Sequence, residues 1–259
     1  MNGINSLSIL PVRSEPSGRS EMITQLLFGE TYNILDEKED WLLISCQHDN
    51  YEGWIDKKMS LEVSSEFVEK LLNSPVFQVG NIVAKAFNQS DNTVVHLVKG
   101  SILPLINHGI MEIGAMKFSF EGNMSEIPEV PDVSNLENEA FSYINVPYLW
   151  GGRSPFGIDC SGFVQVVYRS CGLKLSRDAS QQVNSGEVIS FIFEARPGDL
   201  AFFDNAAGTI THVGIILSGG RIIHASGCVR IDSIDHNGIF NKSTGKYTHI
   251  LRIIKRVFE

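Results

Sequence analysis

No part of the 259-residue sequence offers the run of about 18 apolar residues that a membrane-spanning helix needs, which argues against a transmembrane helix. Cysteine is scarce. Cys46, Cys160, Cys171 and Cys228 show no paired spacing and no CxxC, so neither a disulfide framework nor a zinc site is indicated, and a reducing compartment fits best. Positive charge is short as well: 21 Lys and Arg stand against 30 Asp and Glu, a net charge of −9. Nucleic-acid binding needs clustered Lys and Arg, and anionic membranes attract the same residues, so no nucleic acid and no membrane is expected as a partner. The opening Met1-Asn2-Gly3-Ile4-Asn5-Ser6 has neither the basic start nor the apolar run of a secretory signal. The expectation is a cytoplasmic protein; the alternative is an exported one whose signal has been removed.

A hydrophobic fraction of 43% beside a charged fraction of 20% leaves ample apolar surface for packed cores. From about 5 to 62 the chain reads as short strands between turns: Ser8–Val12, Met22–Phe28, Tyr32–Leu35, Trp41–Ser45 and Gly53–Ile55. Strands at roughly 8–12-residue spacing suggest a small barrel or sandwich. Asn81–Ala86, Thr93–Val98, Ser101–Leu105 and Met116–Phe120 repeat this texture over about 75 to 124, with Ser60–Asn73 as a helical connector. Pro128 and Pro131 mark a boundary. Beyond it, Asp132–Ile144 carries Val133, Leu136, Ala140 and Phe141 at helical spacing. One further helix, behind Cys160, and the strands Leu200–Phe203, Thr211–Leu217, Arg221–Ala225 and His249–Ile254 give an α+β pattern.

Cys160 follows the turn-rich stretch Gly151–Asp159 and opens the apolar run Ser161–Tyr168, so it lies at a helix N-terminus, where the dipole and free N–H groups favour a thiolate and can meet an oxyanion. By spacing alone a cysteine in this place is usually a packing residue, and Cys171 and Cys228 are read so. His212 and His224 fall on two runs joined by Ser218-Gly219-Gly220, a hairpin that would bring the imidazoles within hydrogen-bond reach as a base and its orienting partner. The plain alternative is two strand-end histidines facing solvent. His48, His96, His108, His236 and His249 have no partner spacing and read as surface or strand residues.

Taken together, Tyr148–Gly152, Gly157–Val164, Pro197–Phe203, Thr211–Ile215 and Ile223–Ser226 resemble the NlpC-type cell-wall cysteine peptidases over about 135 to 256. The resemblance implies a papain-like fold with Cys160 as nucleophile, His212 as base and His224 as the polar residue that orients it. Asp199, in the Pro-Gly-Asp turn, reads as structural. Arg13–Ser17, Gly29-Glu30, Glu39–Leu42 and Gly53–Ile55 resemble a bacterial SH3-like domain, and 75 to 124 resembles a second one less closely. The implied organisation is two small all-β SH3-like barrels, the first over 1–62 and a connector with the second over 63–127, then an α+β papain-like catalytic domain over 128–259.

Two SH3-like domains before an NlpC-type domain look like the subgroup that cleaves between γ-D-glutamate and a diamino acid in free murein peptides. There the first SH3-like domain caps the active site and helps recognise the N-terminal L-Ala amine. An ammonium in a closed pocket needs a carboxylate and neutral acceptors, for which Asp159, Ser161 and Ser180 are candidates, with Arg177 in the segment that resembles the family's pocket lining. Glu21 and Tyr51 are candidates from the capping domain. No cofactor and no metal is implied, and the expected enzyme is a monomer acting on a murein peptide. Three other readings stay open: a hydrolase of the intact wall, a non-catalytic wall-binding protein, and a lipid acyltransferase or amidase of related fold.

Overall fold

Alternation of inward and outward residues shapes the first sheet. In β2 (Ile9–Arg13) Leu10 and Val12 are buried, and in β5 (Trp41–Cys46) Leu42, Ile44 and Cys46 are. These strands join β1 (Asn2–Ile4), β3 (Met22–Leu27), β4 (Thr31–Lys38), β6 (Glu52–Asp56) and β7 (Leu61–Val63) in an antiparallel sheet of order β3-β2-β6-β5-β4-β1-β7. Ser64 then accepts a hydrogen bond from the Phe67 amide and starts α1 (Ser65–Leu72). The helical connector is therefore shorter than 60–73, its first residues having joined the sheet as β7. Next come β8 (Phe77–Val79), β9 (Val83–Asn88), β10 (Val94–Val98), β11 (Ile102–Leu103), β12 (Ile110–Ile113), β13 (Met116–Glu121) and β14 (Met124–Glu126). They form a four-stranded sheet, β10-β9-β13-β12, and a three-stranded one, β11-β8-β14. Their core of Val79, Ala86, Leu97, Met111 and Phe118 includes Ile4 and Phe28 from the first sheet.

The computed structural model describes residues 1–258, which divide into two compact units, Met1–Pro128 with Trp150–Pro155, and Glu129–Leu149 with the described residues from Phe156 onward. The six residues that rejoin the first unit contain β15 (Arg153–Ser154) and are tied in by polar contacts. Arg153 is fully buried and forks onto the Glu30 carboxylate at 2.8 and 3.0 Å, while also donating to the Gln25 carbonyl at 2.7 Å.

The second unit comprises α2 (Leu136–Phe141), β16 (Gly157–Ile158), α3 (Cys160–Ser170), α4 (Ala179–Gln182), β17 (Glu187–Ile189), β18 (Leu200–Asp204), β19 (Ile210–Leu217), β20 (Arg221–Ser226), β21 (Cys228–Asp235), β22 (Gly238–Asn241) and β23 (Lys246–Arg256). The sheet order is β17-β23-β18-β19-β20-β21-β22, and β22 pairs back onto β23, closing six strands into a barrel. Closure depends on Gly238: its φ is +135°, and a Cβ there would lie 1.9 Å from the His249 carbonyl oxygen. The unit is thus mostly β rather than the expected α+β, because Glu187–Ile189, Cys228–Asp235 and Gly238–Asn241 add three strands to the four legible in the sequence. The helix expected over 132–144 shrinks to Leu136–Phe141, since Asn135 offers no side-chain cap.

The barrel has two cores. Inside it lie Phe203, Ile216, Ile222, Ile234, Ile239 and Ile254; on its outer face Phe202, Val213, Ile215 and Ile223 pack with Phe163, Val164 and Val167 of α3. Asp199 is buried and accepts from the Arg196 amide at 2.8 Å and from Arg256 at 2.8 and 2.7 Å, so it braces the Pro-Gly-Asp turn.

Candidate active site

Asp159 begins α3 with an extended backbone, and its carboxylate accepts the Gly162 amide at 2.7 Å. Cys160 is therefore the first helical residue. Its sulfur receives the amides of Ser161 and of Val213, the residue after His212 on β19. The thiol is 6% exposed, and its pKa is pushed up to about 11 by burial and by the Asp159 carboxylate, which outweigh those amides and Arg177. Cys160 therefore rests as a thiol rather than the thiolate expected from the helix terminus alone, because the terminus is shut off from water and borders a carboxylate.

His212 and His224 share the face of β19 and β20 that bears Ile216 and Ile222, and so sit at one end of the barrel interior. They are not directly opposite. Gly214 is the residue facing His224, and a Cβ there would meet the His224 Cβ at 2.9 Å. With no side chain at 214, the diagonal pair closes to 2.9 Å between His212 Nε2 and His224 Nδ1.

The line continues. His224 Nε2 lies 3.1 Å from Asp232 Oδ2 on β21, and Arg230 reaches the same carboxylate at 2.8 and 3.0 Å. Burial raises the Asp232 carboxyl, but hydrogen bonds from His224 and Arg230 together outweigh it and hold the group below its usual range. An ionised Asp232 can only accept, so His224 donates its Nε2–H to it, and His224 Nδ1 accepts from His212 Nε2–H. His212 Nδ1 is then left as a lone pair. Burial, then the neighbouring His224 and His249, depress the His212 pKa well below the ordinary imidazole value, so the ring is neutral at pH 7.

His249, on β23, stacks on His212 with ring centroids 4.2 Å apart and planes 24° apart. Burial and then His224 lower its pKa to about 4. Nitrogen atoms of His212, His224 and His249 lie within 4.8 Å of one another, which makes the trio a possible ligand set for a metal ion. Asp232 and Arg230 carry no signal in the sequence, and His249, expected as a surface or strand residue without a partner, instead stacks on His212.

Of the candidate binding residues, Asp159, Ser161 and Arg177 form one buried cluster. Arg177 Nη1 donates to Asp159 Oδ1 and to Ser161 Oγ at 3.0 Å, and Nη2 donates to Asp159 Oδ2. Ser180 is exposed on α4, where its carbonyl accepts from Asn184 at 3.4 Å. In the first unit, the Glu21 carboxylate accepts the Trp150 indole N–H at 2.5 Å, and the Tyr51 amide donates to Asp49 Oδ1 at 3.0 Å.

The NlpC/P60 family profile matches residues 145–248, and that of the bacterial dipeptidyl-peptidase SH3 domain matches residues 12–58. A gamma-D-glutamyl-L-lysine dipeptidyl-peptidase of Bacillus cereus is 27% identical over 229 residues, covering 80% of this chain and 68% of the relative. Dipeptidyl-peptidase 6 of Lysinibacillus sphaericus is 26% identical over 264 residues, covering 91% and 92%. A crystal structure of an NlpC/P60 family protein from Bacillus cereus matches with a TM-score of 0.84 at 20% identity over 99% of each chain, a likeness of fold. The chain therefore carries an NlpC/P60 peptidase domain of papain-like fold together with a bacterial dipeptidyl-peptidase SH3 domain, the make-up of a cell-wall peptidase.

Proposed function

We propose that the protein is a cysteine endopeptidase that hydrolyses the bond between γ-D-glutamate and the following diamino acid in murein peptides with a free N-terminal L-Ala, in cell-wall peptide recycling. In this reading 128–259 is the catalytic domain, and 1–62 and 63–127 are SH3-like domains. The observation that carries it is the hydrogen-bonded line Asp232–His224–His212, which ends one residue from the amide that holds the Cys160 sulfur.

Sulfur attacks the γ-carbonyl carbon as the S–H proton passes to His212 Nδ1. The negative oxygen that forms is met by the backbone N–H of Cys160 at the start of α3, a contribution of roughly 3–4 kcal/mol in hydrolases. Collapse breaks the C–N bond, and His212 returns the proton to the leaving amine. Water, deprotonated by the same nitrogen, then cleaves the thioester and restores the thiol. Asp232 and His224 act throughout by holding His212 in the tautomer that accepts at Nδ1. Asp159 and Ser161, with Ser180, are the groups for the substrate ammonium, and Arg177 fixes the Asp159 carboxylate beside the nucleophile. The Bacillus cereus and Bacillus subtilis relatives named for γ-D-glutamyl-L-lysine cleavage support this bond.

The test is mass spectrometry of L-Ala-γ-D-Glu-diaminopimelate incubated with the protein, beside the amine-blocked peptide and a Cys160→Ala control. Cleavage of the free peptide alone, abolished by the alanine change, is the expected result. Cleavage of both peptides discards the amine pocket, and cleavage of neither sinks the proposed bond.

A further inference from the structure

Among the described residues, three imidazoles converge at one end of the catalytic barrel, and only two have a part in the proton line. His249 contributes nothing to that line: it covers His212, and its Nδ1 is 2.9 Å from Thr248 Oγ1. We propose that His212, His224 and His249 form a regulatory site for a zinc-like divalent transition metal, and that occupancy switches off the proposed peptidase by locking His212 in the wrong tautomer. The inference rests on the reading of His212 as the base.

Three neutral imidazoles are a donor set suited to zinc, copper or nickel. Tetrahedral zinc with bonds of about 2.0–2.1 Å needs its nitrogens about 3.4 Å apart. His212 Nε2 and His224 Nδ1 are already 2.9 Å apart, and the trio fits within 4.8 Å, so closure asks mainly for a turn of the partly exposed His249 ring. The surroundings match a metal site too. His224 gives its far N–H to Asp232, and Arg230 pins that carboxylate, the carboxylate–histidine support that orients metal-bound imidazoles. His249, the ring nearest solvent, gives the ion its way in.

The inhibition follows from proton placement. In the active arrangement His212 carries its proton on Nε2 and accepts at Nδ1. A metal that binds Nε2 displaces that proton, and the neutral ring must hold it on Nδ1 instead. No proton is gained or lost overall, yet the nitrogen that would receive the Cys160 proton is now itself an N–H donor.

The decisive measurement uses the metal-free full-length Cys160→Ala variant, which keeps all three histidines and has no competing nucleophile. Calorimetric titration with zinc chloride is expected to show one ion per chain, and cobalt(II) to give the visible absorption of a tetrahedral site. His249→Gln in the same background is expected to weaken zinc at least about 100-fold, and Asp232→Asn about 10–100-fold. In parallel, zinc should inhibit hydrolysis of the murein peptide by the unsubstituted protein, reversibly with EDTA. A His249→Gln enzyme should resist the same zinc relative to its own zinc-free rate. Absence of binding, binding that survives His249→Gln, or full turnover with the site occupied would each overturn the proposal. If the zinc-free enzyme shows no turnover at all, the peptidase reading fails, while the titration of Cys160→Ala still decides the site.

Discussion

Two buried cysteines, one in each unit, have nearly the same electrostatic surroundings and very different prospects. Cys46 in β5 is fully buried near Glu30, Asp49 and Arg153; Cys160 is 6% exposed near Asp159 and Arg177. Burial leads the upward shift of both thiols, a carboxylate adds to it and an arginine offsets part. Resting acidity therefore does not separate a structural thiol from a candidate nucleophile here. What separates them is supply. Cys160 opens a helix and stands beside the His212–His224–Asp232 line, whereas Cys46 closes β5, its amide donating to the Tyr51 carbonyl at 2.9 Å. In a site closed to water the base has to remove the proton during attack, so the geometry of the base matters more than a preformed thiolate.

The sharpest way to break this comparison is substitution of the two thiols. Cys160→Ala should lower kcat/KM for the murein peptide by at least about 10⁴ with an unchanged circular dichroism spectrum. Cys46→Ala should leave the turnover of the folded protein as it was. Next come the arginines. Arg153→Met and Arg177→Met each strand a buried carboxylate and should cost about 3–5 kcal/mol in urea unfolding. Only Arg177→Met should also slow turnover per folded molecule; an equal loss in both would erase the distinction between the two regions.

Asp232→Asn should reduce kcat/KM by about 100-fold, because an amide no longer compels the His224 tautomer. Unfolding free energy should move much less than for the arginine variants. Alkylation gives a gentler test. With the thiol pKa near 11, the thiolate fraction of Cys160 grows about tenfold per pH unit below that value, so iodoacetamide labelling should climb steadily from pH 7 to 9. A plateau already reached at pH 6 would show a preformed ion pair instead. The smallest effect belongs to Ser180→Ala, an exposed hydroxyl whose loss should cost less than about fivefold in KM.

Much of the site was legible because its information is local. Asp159-Cys160-Ser161-Gly162 is a helix start within four residues, and His212 and His224 are joined by a short hairpin, so spacing alone brings the imidazoles together. Asp232 escaped because β21 lacks a period of two. Val229 and Ile234 are both buried yet lie on opposite faces of the strand, one toward α3 and one into the barrel, and Asp232 is buried among them. On the face of Val229 the next residue, Ile231, is 37% exposed, so polar and apolar residues do not sort onto separate faces and nothing in the pattern marks Asp232. His249 escaped for another reason. It reaches His212 past the intervening β18, where Phe203 pairs with both Leu251 and His212, and nothing in linear spacing announces a strand two places away. The thiol's acidity was misjudged because a helix terminus can be read from sequence, whereas its closure from water cannot.

The contact between Arg153 and Glu30 has a consequence for how this protein can be recombined. The fork joins residues more than a hundred positions apart, yet both belong to the first unit. A chimera that replaced residues 1–128 with the corresponding part of another protein would inherit Arg153 without Glu30 and Gln25, leaving a buried cation with nothing to hold. A graft that also carried Trp150–Pro155 from the donor would keep each arginine with its own carboxylate. The heritable module is discontinuous: it includes six codons embedded in the gene segment of its neighbour, the last of them, for Pro155, five positions before Cys160.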